Sequence, residues 1–289
     1  MEELKYTIGK DLLLTKKLLD LTDDELASAL LTSRSMVNRW CSLDSDSINP
    51  SDIKRIYDFI YSKKINLNVI KSQLYLEEVK NNHLILFHGA KSKIVGEIDI
   101  NKTKENNDFG QGFYLGNNLK QAMMFVSDFN ESSIYIFDFD TRGLSGYQFD
   151  VTTEWMIAIA YYRGRLTHYK NSSLVKQIIN KVDNADYIIA PIADNKMFTI
   201  IESFIDGEIT DEQCQHCLSA TNLGYQLVIK TNRALKQLKG LERCYITSGE
   251  KRRYLNERIA SINIGNDKVK VARIQYAHKG LYIDQLFGE

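Results

Sequence analysis

The sequence predicts an α+β protein in two parts: a small all-α region over residues 1–80 and a larger mixed domain over residues 81–289. Three observations predict it. Residues 15–70 repeat apolar side chains at helical spacing behind helix-capping signals, so short helices fill the first part. From Leu84 the pattern changes to short runs rich in Ile, Val, Tyr and Phe, at Leu84–Phe87, Ser133–Phe139, Tyr187–Pro191, Tyr225–Lys230 and Val269–Tyr276, which read as strands. Between these runs helical periodicity recurs near Leu119–Val126, Thr153–Tyr162, Ser173–Val182, Met197–Ile205, Asp211–Ala220 and Glu250–Ile262. At 289 residues and 44% apolar the chain can bury a full core, and its length suits two domains.

In the first part, Thr22-Asp-Asp-Glu25 is a capping box, in which hydroxyl and carboxylate satisfy each other's orphan backbone N–H groups. Leu26, Ala27 and Leu30 follow at helical spacing. After a break at Leu31-Thr-Ser33, a second short helix turns Met36, Val37 and Trp40 inward and Arg34, Ser35, Asn38 and Arg39 outward. The pair resembles the helix-turn-helix of the phage-repressor class, whose second helix enters the DNA major groove; the resemblance implies DNA contacts by Arg34, Ser35, Asn38 and Arg39. Against it, residues 1–80 carry 12 Lys/Arg and 13 Asp/Glu, leaving no cationic surplus for phosphates. The alternative is a helical bundle that docks on the following domain or on a partner. Pro50 and Ser51 start another helix, Asp52 to Ser62, and residues 63–82 form the approach to the second domain.

The formal charge of zero is unevenly spread. Residues 81–231 hold 13 Lys/Arg against 18 Asp/Glu, and residues 232–289 hold 12 against 6. A basic segment over 233–289 suits either a polyanionic target or a solvated face. No apolar run approaches the roughly 20 residues that span a bilayer, and Met1-Glu-Glu-Leu-Lys5 lacks the order of a signal peptide. A cytoplasmic protein without a membrane partner is expected. Four cysteines in this length make no disulfide framework and are expected to be reduced and mostly buried. Cys214-Gln-His-Cys217 has the spacing of half a zinc site, but no second Cys or His pair follows at ligand spacing, so no metal is expected.

Two stretches carry chemistry. Leu84-Ile-Leu-Phe-His88-Gly89-Ala90 is a strand ending in His-Gly, and Asp108-Phe-Gly-Gln-Gly112-Phe113-Tyr114-Leu115 is a glycine-rich turn ending in an aromatic pair. A His at a strand end can offer a ring nitrogen to a sugar hydroxyl, and the adjacent Gly lets backbone approach a ligand amide. Gly112 opens a similar approach, and Tyr114 can stack a flat heteroaromatic ring. A nicotinamide riboside makes those demands. The Gly110-Gln-Gly112 spacing lacks the further glycine and preceding strand of a Rossmann loop, which disfavours hydride transfer.

The order His-Gly, then Phe-Gly-x-Gly-Phe-Tyr, resembles the diphtheria-toxin and poly(ADP-ribose) polymerase class of ADP-ribosyltransferases, and within it a bacterial family of toxin-like proteins encoded in toxin-antitoxin or defence contexts. The resemblance covers about residues 84–232. It implies an ADP-ribosyltransferase-like split β-sheet fold with NAD+ as substrate. It also implies a ribose contact for His88, a backbone hold on the carboxamide by Gly89, and nicotinamide stacking by Tyr114, supported by Gly112 and Phe113. Where the class places a Glu at the head of a late strand, Leu223-Gly-Tyr-Gln226-Leu-Val-Ile-Lys230 puts Gln226, which can accept a hydroxyl hydrogen bond but brings no charge and cannot act as a base. Single ADP-ribose transfer to a macromolecular acceptor, protein or nucleic acid, is therefore expected over polymer growth, with a small antitoxin as a further partner. Arg163 and Asp194 follow apolar segments that end in turn residues, where a strand or helix can present a polar group to a cofactor cleft, and Arg163 can bind a pyrophosphate or serve a structural salt bridge. Glu154 and Glu202 are either buried carboxylates near a site or solvent-facing positions of amphipathic helices. The rival functions are an NAD+ glycohydrolase and a DNA-binding regulator whose second domain senses NAD+ without catalysis.

Overall fold

The computed structural model describes residues 3–220 and 224–288. Helices α1 (Ile8–Leu19), α2 (Asp23–Ala29), α3 (Arg34–Ser42), α4 (Pro50–Ser62) and α5 (Leu67–Glu77) come first. They are followed by β1 (His83–Ala90), β2 (Phe113–Gly116), α6 (Leu119–Val126), β3 (Ser133–Asp140), β4 (Gly146–Gln148), α7 (Thr153–Tyr162), α8 (Ser173–Asp183) and β5 (Tyr187–Pro191). The chain ends with α9 (Asn195–Ile205), α10 (Asp211–Ser219), β6 (Tyr225–Ile229), α11 (Asn232–Leu235), β7 (Leu238–Tyr245), α12 (Ser248–Gln275) and α13 (Ile283–Phe287). The protein is α+β, with an N-terminal helical region and mixed parallel and antiparallel strand pairing. It divides into two compact units.

The first unit gathers residues 1–97, 122–140 and 239–257, so the N-terminal helices share it with β1, β3 and most of β7. Antiparallel pairing sets His88 opposite Tyr135 and Gly89 opposite Ile134. The capping box at Thr22 and Glu25 forms as expected, with Glu25 Oε2 accepting the Thr22 N–H at 2.8 Å. Leu26, Leu30, Val37 and Trp40 then bury with Ile53, Ile56 and Ile60 in one cluster. Residues 67–77, which the sequence pattern places in an approach segment, instead form α5. The reason is buried chemistry that the pattern hides: Lys71 lies between Asp11 of α1, at 2.7 Å, and Glu242 of β7. Asp11 also accepts from Tyr57 Oη at 2.6 Å, and Glu242 from Tyr75 Oη at 3.1 Å. Burial works to lower the Lys71 pKa, yet Cys244, Asp11 and Glu242 around it raise it on balance.

The second unit gathers residues 98–121, 141–238 and 258–289. Its strands run in the order β4-β5-β6-β2, with β4 parallel to β5 and the other pairs antiparallel. The core helix is α7, whose Trp155, Met156, Ile157, Ala158, Ile159 and Ala160 are all buried, as its nearly continuous apolar sequence demands. Phe109, from the glycine-rich turn, plugs into this core and stacks on Phe149 at 5.4 Å between centroids.

One predicted strand is wrong in kind. Residues 269–276 are rich in Val, Ile and Tyr, but 269–275 continue α12. Ala272 is buried and Val269 packs against the core that holds Cys217, so helical packing overrides the local β preference. Three strands escape the sequence pattern: β2, β4 and β7 are short, or rich in Gly and charge, and their formation rests on pairing rather than on apolar patterning.

Candidate functional site

The glycine-rich turn between residues 107 and 114 is tied down along its length. Tyr114 Oη receives the Phe109 N–H at 3.1 Å and donates to the Gly110 carbonyl at 2.7 Å. The Lys230 ammonium donates to the carbonyls of Phe109 and, at 2.7 Å, Gln111. Gln111 Nε2 reaches the Asn101 carbonyl at 2.6 Å, and the Gly112 N–H bonds Thr103 Oγ1 at 2.9 Å. Burial raises the Tyr114 phenol pKa, which keeps the hydroxyl protonated for its donor role, and it lowers that of Lys230. Gly112 is required by proximity: a Cβ there would lie 2.7 Å from Val228 Cγ1 and 2.8 Å from the Ile229 carbonyl. The neighbouring Phe113 is buried and pairs in register with Ile229.

From the start of the turn a buried polar group joins four segments. Asp108 Oδ1 accepts from Arg163 Nε at 2.9 Å and from Arg163 Nη2, and that same Nη2 donates to the Ala193 carbonyl at 2.7 Å. Asp108 Oδ2 accepts from Gln226 Nε2 at 2.8 Å, and Nε2 also reaches the Pro191 carbonyl at 3.3 Å. Arg163 further lies over the Phe198 ring, 4.3 Å from its centroid. Thus Arg163 and Gln226, which the sequence marks separately, meet on one carboxylate. Arg163 takes up the salt-bridge role. In the sequence Asp108 stands out only as the start of a motif. No local signal could have marked it, because its partners stand far away in the chain. Leu223, the first residue of the Gln226 motif, lies outside the described residues.

Asp194 acts locally. Its Oδ1 accepts the Lys196 and Met197 N–H groups at 3.0 and 2.8 Å, capping α9. Glu154 pairs with Lys181 and Tyr147, and Glu202 with Arg165 at 3.1 Å, so both serve half-buried ion pairs. His88 and Gly89 belong to the first unit. There a Cβ on Gly89 would come within 2.6 Å of the Ala122 carbonyl and 2.8 Å of Val126 Cγ1, so packing of β1 against α6 is itself a reason for the glycine.

On α3, Arg34, Ser35, Asn38 and Arg39 are all exposed, as the helical period predicts. Arg34 is paired at 3.3 Å with both Asp23 and Asp24. The cysteines are free; Cys214, Cys217 and Cys244 are buried and Cys41 is exposed. Cys214 Sγ faces the Ile200 carbonyl and Cys217 Sγ the Val269 carbonyl, while His216 stacks on Tyr276. Among the described residues no group of three or more His, Cys, Asp or Glu is arranged to hold a metal ion, and no helix is long and apolar enough to cross a membrane.

The family model described as Protein of unknown function (DUF3990) matches residues 84–239. The chain belongs to this family. The DUF3990 segment runs from β1 to the first residues of β7 and takes in His88, Gly89, Asp108, Gly112, Tyr114, Arg163, Asp194 and Gln226. The N-terminal helical region, most of β7, and all of α12 and α13 lie outside it. No curated protein and no solved structure matches the chain.

Proposed function

We propose that the protein is an NAD+-dependent mono-ADP-ribosyltransferase, acting as the toxin of a bacterial toxin-antitoxin or defence system. The observation that carries this reading is the fixed turn at 107–114. A flat cationic ring is best held by an aromatic face that does not need to reorganise, and Tyr114 has its hydroxyl fixed at both its donor and its acceptor position. The order of the His88-Gly89 and Gly112-Phe113-Tyr114 motifs supports it independently. In this reading His88 contacts the nicotinamide-side ribose, Gly89 the carboxamide, and Gln226 a ribose hydroxyl.

In the reaction the bond between ribose C1′ and the pyridinium nitrogen breaks, its electron pair staying with the nitrogen, and neutral nicotinamide leaves. A nucleophile of the macromolecular acceptor bonds to C1′ and releases its proton to solvent. A neutral amide at 226 accepts a hydrogen bond without removing a proton, which favours a single transfer over chain growth. The basic segment beyond residue 232 is where an anionic acceptor fits by charge.

The test is nicotinamide release from NAD+ by wild-type, His88→Ala and Tyr114→Ala proteins. Release by the wild type, falling about 10²-fold in each variant, is the expected result. Equal release by all three would remove these residues from the site. Water entering in place of the acceptor, as in a glycohydrolase, would yield free ADP-ribose instead of a labelled macromolecule.

A further inference from the structure

We infer that Asp108 is a positioning residue that fixes the polarity of the Gln226 amide, so that Gln226 Oε1 presents a hydrogen-bond acceptor to a hydroxyl of the bound sugar. This deepens the transferase reading above and rests on it. A Gln side chain has a donating and an accepting end, and its partners decide which end faces where. Here the decision is chemically forced. The Asp108 carboxylate and the Pro191 carbonyl can only accept, and both face Nε2, at 2.8 and 3.3 Å. Turning the amide over would set Oε1 against two other oxygens.

The carboxylate is in turn held by the Arg163 guanidinium, which the Ala193 carbonyl and the Phe198 ring keep in place. Both NH2 protons of Gln226 are therefore engaged inside the protein. Oε1 has no hydrogen-bond partner among the described residues, although the side chain belongs to a residue only 8% exposed. A largely buried acceptor without an internal partner is matched to a ligand that donates, and a sugar hydroxyl donates. The negative charge that an acidic side chain would bring to position 226 sits instead one hydrogen bond away, on Asp108.

Exchanging the two groups tests the assignment. In Asp108→Asn, the carboxamide oxygen stays on Arg163 and its NH2 faces Gln226 Nε2, so the amide loses its closer acceptor and is no longer fixed with Oε1 toward the ligand. In Gln226→Glu, two carboxylates face each other. The double variant Asp108→Asn/Gln226→Glu restores a donor-acceptor pair and again leaves an oxygen toward the ligand. For nicotinamide release, each single variant should lose about tenfold or more in kcat with KM changed less than about threefold, and the double variant should recover most of the loss. Thermal unfolding checks that each variant folds; should Asp108→Asn fail to fold, the comparison of Gln226→Glu with the double variant still reads the rescue. An active wild type whose single variants are unimpaired, or whose double variant is as weak as the product of the single losses, overturns the inference and leaves the transferase reading standing. A wild type that neither releases nicotinamide nor binds NAD+ by calorimetry overturns both.

Discussion

Individual side chains in this protein draw their roles from partners that are remote in sequence. Gln226 departs from the acidic pattern that the resemblance leads one to expect, and the compensating carboxylate, Asp108, stands 118 positions earlier. The sequence contained both residues but not their pairing, because a contact at that separation has no local periodicity or spacing. Motifs whose meaning is local were legible: the outward face of α3 and the capping box at Thr22 and Glu25. Asp186 illustrates how such partners set the response to pH. Its carboxylate accepts the Ser145 N–H at 2.9 Å and the Thr231 hydroxyl at 2.7 Å, and the Ser145 backbone bond, ahead of the others, lowers its pKa. A carboxyl lowered in the folded state stabilises above its unfolded pKa, and that stability is lost as pH falls through the folded one. Asp186→Asn should cost about 1–3 kcal/mol near neutral pH, with the deficit shrinking below about pH 4. Urea unfolding at both pH values measures it; a deficit that does not depend on pH would mean that the carboxylate's charge plays no part.

At the level of elements, helices with long apolar stripes and the apolar strands β1, β3, β5 and β6 were placed well from sequence, and β2, β4 and β7 were not. The β7 strand carries charge, including the buried Glu242, whose carboxylate is satisfied by the Lys71 cation and the Tyr75 hydroxyl brought from α5. The reverse error befell residues 269–275, where β-rich composition lies inside a helix whose start Thr247 and Glu250 cap reciprocally. The join of β1 to α6 gives a test of what Gly89 does. Because a Cβ would meet the Ala122 carbonyl at 2.6 Å, Gly89→Ala should destabilise the fold by about 1–3 kcal/mol through overpacking, whatever it does to ligand binding. A thermal midpoint equal to that of the wild type would assign the glycine to the ligand alone.

Over the whole molecule, the division drawn from the sequence at residue 80 and the grouping of the chain in space follow different lines. The helical region belongs to the same compact unit as β1 and β3, and the Asp11–Lys71–Glu242 network ties α1, α5 and β7 within it. Lys71→Met should leave two buried carboxylates without their cation and cost about 3–5 kcal/mol. The loss should appear in one unfolding transition of helix and strand signals together, read by circular dichroism; a variant that melts only its helices would make the N-terminal region an independent domain. The DUF3990 segment, residues 84–239, crosses both units and so cannot be lifted out along either boundary. The central claim concerns what that segment does with NAD+. The most direct measurement incubates the purified protein with NAD+ labelled in its adenylate half, with and without cell lysate, and follows both nicotinamide and label. The account predicts nicotinamide release coupled to label on a macromolecule, and the absence of release under both conditions would contradict it.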